Sequence, residues 1–185
     1  MLLGMIVEAV TKDTVEKQIE SRLLVPLGLR NTTFPTSNPA MPSPYAHGYM
    51  LDANKNWQDE SVALPPSVSW AAGAMISDMA DMKAWVKAYV SGSVNSAATQ
   101  KERLTCVPIG KPNMAFGLGI GCSAGWFGYT GGITGYNTGA YYFPAQDATI
   151  IVFVNSQQER KDKLDVASAT VRDIARVLFP ANVPF

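Results

Sequence analysis

The residues best placed to do chemistry lie in one short stretch, Gly128-Tyr129-Thr130-Gly131-Gly132, between two β-rich runs. Glycines in or beside a strand let another backbone or a ligand come close. The Thr130 hydroxyl can bond a substrate oxygen, whereas Tyr129 is neutral at pH 7 and offers only its phenol. A glycine-rich hairpin turn is the plainer reading of the same letters. The residues around the stretch decide between the two.

Other patterns look chemical and fail on context. Gly121-Cys122-Ser123-Ala124-Gly125 fits G-x-S-x-G, the nucleophile elbow that needs a helix directly after the serine and a histidine later in the chain. Trp126 instead begins another β-rich run, and the single histidine, His47, lies upstream. Ser93-Val94-Asn95 reads as a polar turn between helices. His47 has no second ligand or acid beside it in sequence, which gives it a loop or packing role. Cys106 and Cys122 are either two buried free thiols or a disulfide between neighbouring segments, and a disulfide would favour an exported protein. With one histidine they make no metal-site pattern. Trp70, Trp85, Trp126 and Tyr141-Tyr142-Phe143 suit core and sheet packing. The chain has no Gly-rich phosphate loop, and no cofactor is expected.

The chain has 185 residues, 47% hydrophobic and 16% charged, which suits one domain with a real core. Fifteen basic and fifteen acidic residues give zero net charge, so nothing marks it as a partner for nucleic acid or an anionic membrane. The apolar opening, residues 1–10, is too short to span a bilayer and lacks the basic region of a signal peptide. It reads as a helix already under way at residue 1.

The elements that must position the glycine-rich stretch follow from hydrophobic spacing. Residues 13–24 carry Val15, Ile19, Leu23 and Leu24 at helical intervals, with Pro26 and Gly28 closing the helix. Residues 31–44 hold four prolines and form a loop. Residues 45–64 form a short hairpin around a turn at 52–56. A helix capped by Ser77 presents Met82, Trp85, Val86 and Tyr89, and ends at Gly92. Residues 96–104 give a shorter one. Four β runs follow, 115–121, 126–130, 136–143 and 148–155, as an antiparallel meander. The last is apolar throughout, which predicts a central strand covered on both faces. Residues 161–178 form a closing helix with Leu164, Val171, Ile174, Ala175 and Leu178 inward. The fold class is α+β, one domain, with residues 1–110 mainly helix and loop and residues 111–185 the sheet and final helix.

Taken in order, MLLGMIVEAV, RLLVPLGLRNTTF, SWAAGAMISDMADMKAWVKAYVSG, FGLGIG, GYTGGITGYNT and ATIIVFVN resemble the second half of the serine β-lactamase and D-alanyl-D-alanine carboxypeptidase family, especially its class C-like branch. That family uses three motifs: S-x-x-K for the nucleophile and its lysine, Y-x-N or S-x-N for a proton relay, and [KH]-T-G on the strand lining the site. Tyr129-Thr130-Gly131 matches the third. S-x-x-K and Y-x-N do not occur in this sequence, and the S-x-N match at Ser93-Val94-Asn95 lies well after the position the family gives that motif. The resemblance implies a β-lactamase/transpeptidase-like antiparallel sheet flanked by helices, with the N-terminal part and its nucleophile helix outside this chain.

By the same resemblance, Tyr129, Thr130 and Gly131 bind substrate, and the Gly132 N–H is one of two oxyanion donors. The second donor is the N–H of the serine that this chain lacks. Tyr129 stands where relatives have lysine or histidine, so a cation that would attract a substrate carboxylate is missing. The implied reaction is serine-dependent hydrolysis of an amide or ester through an acyl-enzyme, with β-lactams, muropeptide stems, D-amino-acid amides and simple esters all open as substrates. The chain alone is expected to be inactive. The other class of function is a non-catalytic binding protein whose exposed sheet is covered by a partner or by self-association. The family is commonly exported, and this chain shows no export signal of its own.

Overall fold

The computed structural model describes residues 1–36, 41–111, 113–158, 160 and 164–185. Helix α1 (Leu2–Thr11) ends where Lys12 turns left-handed, and Thr14 caps α2 (Val15–Ile19) by accepting the Lys17 N–H. A π-helical turn (Glu20–Leu24) and a short α3 (Val25–Leu27) continue without a break to Gly28, whose φ of 66° closes the run. Val15, Phe34 and Ala74 bury one side of this segment, with Val7, Ile19 and Trp70 packed around them. Leu2, Leu3 and Val10, on the far side of α1, are exposed. Pro39, in the proline-rich loop, falls outside the described residues.

The hairpin forms as β1 (Tyr49–Leu51) and β2 (Trp57–Asp59). Helix α4 (Met79–Ser91) is capped by Asp78, not Ser77. Asp78 Oδ1 accepts the Asp81 N–H at 2.8 Å, while the Ser77 hydroxyl lies 2.8 Å from that of Thr32. Both residue types cap well, and the one whose extended backbone adjoins the first turn takes the role. Buried Asp81 accepts the Asn31 N–H and the Thr32 hydroxyl, each at 2.8 Å, and so pins that loop to the helix. Helix α5 (Ala97–Arg103) follows, capped by Ser96.

The sheet has six strands, not four. They are β3 (Val107–Pro108), β4 (Ala115–Gly117), β5 (Ile120–Ser123), β6 (Trp126–Ile133), β7 (Tyr136–Phe143) and β8 (Ala148–Val154), antiparallel and in sequence order. The run at 115–121 folds back on itself at Gly119, whose φ is 66°. Cys106 and Cys122 form a disulfide between the chain before β3 and β5, with Cα atoms 6.5 Å apart. Closing a loop of that length stabilises by about 3 kcal/mol.

Helix α6 (Val166–Leu178) covers one face of the sheet, over Trp126, Tyr141, Phe143 and Ile150; α4 covers the other, over Ile120, Ala140 and Tyr142. Strand β8 is thus covered on both faces, as its apolar run requires, yet it lies at the end of the sheet rather than in the middle. An apolar run reports what lies above and below a strand, not beside it. Residues 161–163 of the expected closing helix lie outside the described residues; the helix starts at Val166 after its cap, Asp165. Leu178 points outward, and Phe179 takes its place against Trp126 and Phe143.

Strand β6 can lie this close to β7 only because residue 128 has no side chain. A Cβ there would sit 2.0 Å from the Ala140 carbonyl oxygen, whereas one at Gly131 would meet nothing nearer than 3.9 Å. Gly128→Ala should destabilise the fold by about 3 kcal/mol, the upper end for overpacking. Gly131→Ala should stay within about 0.5 kcal/mol of the parent. Urea unfolding of both variants checks the contrast.

A candidate substrate groove along strand β6

Strand β6 spans eight residues, so the glycine-rich stretch is strand interior and the turn falls later, at Gly135. Strand β5 pairs with β6 only at Trp126, Phe127 and Gly128. From Tyr129 to Ile133, β6 pairs with β7 alone. Among the described residues, no strand lies along its other side. The early turn at Gly119 is the cause: β5 has four residues and cannot reach further. An open strand side presents backbone N–H and C=O groups that an extended ligand can pair with.

Tyr129, Thr130, Gly131 and Gly132 are therefore consecutive on one accessible strand. The Tyr129 ring meets the edge of Phe116 at 5.7 Å and stays about half exposed. At the β6–β7 turn, Ile133 and Thr134 border a groove of about 1070 Å³ that β7, β8 and the loops before α4 also wall, and that none of Tyr129 to Gly132 lines. Met75, Met82, Ile133, Asn137 and Phe153 are among its walls. Asn137, paired across from Gly132, is 6% exposed, and its Oδ1 has no hydrogen-bond partner among the described residues. An unpaired buried acceptor costs about 1–3 kcal/mol.

The other sequence patterns land elsewhere. Ser123 is buried at the end of β5, its hydroxyl accepting the Phe185 N–H at 2.8 Å, and a turn rather than a helix follows it. Ser93 lies in the turn after α4, its hydroxyl 3.1 Å from that of Ser91. His47 has an acid partner after all: its Nδ1 lies 2.6 Å from Asp59 Oδ2, and its ring stacks on Tyr45. Twelve residues of chain separate the two, and the β1–β2 hairpin closes the gap. Asn137 had no distinguishing spacing. Its strand phase, two residues before Gly139 on a β run, is the only signal that could have placed it inward.

A model of the Beta-lactamase family matches residues 1–175. The structure of a D-stereospecific amidohydrolase from Streptomyces sp. is 31% identical with a TM-score of 0.81, over 96% of this chain and 52% of that one. A D-amino acid amidase from Ochrobactrum anthropi SV3, complexed with L-phenylalanine amide, is 25% identical with a TM-score of 0.74, over 84% of this chain and 48% of that one. An octameric penicillin-binding protein homologue from Pyrococcus abyssi, 21% identical with a TM-score of 0.79, shares the fold over 96% of this chain and 40% of its own. The chain thus spans about half the length of these structures.

Asp59 gives the loop beside the groove a pH dependence. Hydrogen bonds from the Ser61 hydroxyl and N–H, then from His47, lower its pKa from 3.8 to about 2. A carboxylate with a depressed folded pKa stabilises above its unfolded value and loses that contribution as the pH falls through the folded one. The His47–Asp59–Ser61 contacts should hold at pH 5 and release between about pH 4 and pH 2. NMR signals of Gly48 and Ser61 should report the transition, and Asp59→Asn should remove it.

Proposed function

Because the chain belongs to the Beta-lactamase family, whose model spans residues 1–175, we propose that it forms the substrate-binding wall of a serine hydrolase that cleaves amides by acyl transfer, with the nucleophile on residues outside this chain. The carrying observation is the stretch of β6 from Tyr129 to Ile133, whose side away from β7 is paired by no strand among the described residues.

In this reading the serine hydroxyl attacks the amide carbonyl, the amine leaves, and water releases the acyl group. The carbonyl oxygen becomes an oxyanion at the Gly132 N–H, with the N–H of the serine as the second donor. Each such donor contributes about 2.7–4 kcal/mol to the transition state. Thr130 bonds a substrate oxygen two residues away. Tyr129 adds no positive charge, which suits an uncharged amide better than a substrate with a carboxylate beside the scissile bond. The amidase descriptions of the Streptomyces and Ochrobactrum structures point the same way.

The groove supports the placement of the nucleophile. The groove, about 1070 Å³, has room for a turn of helix, which rises about 5.4 Å. S-x-x-K needs one turn to put serine and lysine on a single face. The groove rim mixes exposed apolar side chains, Met75 at 44% and Phe153 at 39%, with polar ones such as Arg30, Asn31 and Asp78.

The test joins the N-terminal half of the Streptomyces amidohydrolase to this chain. The fusion should hydrolyse D-phenylalaninamide. Gly132→Pro deletes the oxyanion N–H at a strand side where proline is tolerated, and should lower turnover by about 10²–10³-fold. The chain alone should neither hydrolyse amides nor react with a fluorophosphonate probe. Turnover by the chain alone with label on Ser123, or a folded but inert fusion, would overturn the reading.

A further inference from the structure

The reversal at Gly119 that keeps β5 short is not held by the glycine alone. Gly117, Leu118 and Gly119 are each tied to the helices beside them. Gly117 lies so close to the Arg103 carbonyl that a Cβ there would sit 1.9 Å from its oxygen. The Leu118 N–H donates to that same carbonyl at 3.0 Å. The Gly119 carbonyl accepts the Tyr89 hydroxyl. Tyr89 stands in the last turn of α4 and Arg103 is the last residue of α5, so the turn hangs on the ends of both helices.

The two side chains are also bound to each other. The Arg103 guanidinium carbon lies 4.0 Å from the centre of the Tyr89 ring, and that ring stacks on Trp85 at 5.0 Å. Arg103 Nη1 donates to the Tyr89 carbonyl at 3.2 Å and to Gln100 Oε1 at 3.0 Å. Arg103 is 8% exposed, and among the described residues no carboxylate pairs with it. A cation buried without a counter-charge is costly to keep. What this one supports is the Tyr89 ring, and through it the turn. Burial pushes the Tyr89 phenol above its ordinary value, so the hydroxyl keeps the proton that it donates.

The register of β5 shows what the arrangement controls. Gly121 pairs with Gly128, so the same register carried further would set Ile120 beside Tyr129 and Gly119 beside Thr130. The turn is thus the first part of the chain that would cover the open stretch of β6 if it swung into line with the sheet. We infer that Tyr89 and Arg103 are positioning residues for substrate: they hold the β4–β5 turn off residues 129–133 of β6 and so keep that stretch open to a ligand. The inference rests on the reading of β6 as the substrate-binding strand. It adds two residues that act through the turn and touch neither the substrate nor the nucleophile.

Conservative variants test it. Tyr89→Phe removes only the hydroxyl and keeps the ring. Arg103→Lys keeps the charge but cannot lie flat on the ring while reaching both acceptors. In the chain alone, hydrogen exchange at the Leu118 N–H should quicken at least about tenfold in each variant, while the β7 amides stay within about twofold. In the fusion enzyme, KM for D-phenylalaninamide should rise at least about fivefold with kcat within about twofold, because Gly132 and the nucleophile are untouched. Unchanged exchange at Leu118, or equal quickening throughout the sheet, would overturn the inference whatever the fusion does. In an active fusion, an unchanged KM or a fall in kcat alone would do so too. An inert fusion sinks the acyl-transfer reading, and the role toward substrate with it, while exchange in the chain alone still decides whether the pair holds the turn.

Discussion

Among the described residues, strand β6 has a neighbouring strand on both sides at only three positions, and the arrangement of the site depends on that shortfall. A longer β5 would pair with residues 129–133 and use up the backbone groups that a substrate needs. The chain avoids this by reversing at Gly119, which sends it away as β4 after four residues of β5. On the other side, β7 pairs with β6 along almost its whole length and holds it straight. One side rigid and one side open is what a strand must be to align a ligand by its backbone. Gly128 marks the changeover, since it is the last residue that β5 touches and lies hard against Ala140.

The two faces of the sheet serve different ends. The α6 side is an aromatic core, with Trp126 stacked on Phe143 and both meeting Phe179 edge-on. The Trp126 indole N–H donates to the Asn182 carbonyl, which ties the last residues of the chain across that face. A cavity of about 180 Å³ is the part of this side that the aromatic packing leaves unfilled. On the α4 side the packing is complete near Ile120 and Tyr142 but stops short of Phe153, where the large groove begins. The unpaired Asn137 acceptor belongs to the other face, in strand phase with Gly139 and Tyr141. The cavity and the large groove flank the same open strand, one at each end.

Much of this was legible in the sequence because it rests on local periodicity. The helices, the 52–56 turn, the Gly92 stop of α4 and the β-rich second half all follow from spacing and turn residues, whereas the cap of α4 falls on Asp78 and not on Ser77. The family resemblance picked out Tyr129–Gly132 as a unit, and the strand places those four residues side by side. What spacing could not carry was lateral order. The apolar run of β8 looked central because cover from above and below writes the same letters whether or not a strand stands beside it. The split of residues 115–121 turned on a single glycine. The His47–Asp59 pair, Asn137 and Asp165 were illegible for a common reason: each depends on a partner brought near by a hairpin, a register or a helix start. Leu178 misled because helical phase says nothing about where the covered surface ends.

The far side of β8 has a consequence for handling the protein. Along residues 148–154 there is no lysine, no proline and no acidic residue, and among the described residues no strand pairs with that side. Natural sheets usually blunt such a margin with charge or a kink. Here a row of backbone hydrogen-bonding groups is left open between two helix-covered faces, a template for intermolecular strand pairing. Yield and shelf life of the isolated polypeptide should therefore be governed by colloidal behaviour at least as much as by the free energy of unfolding.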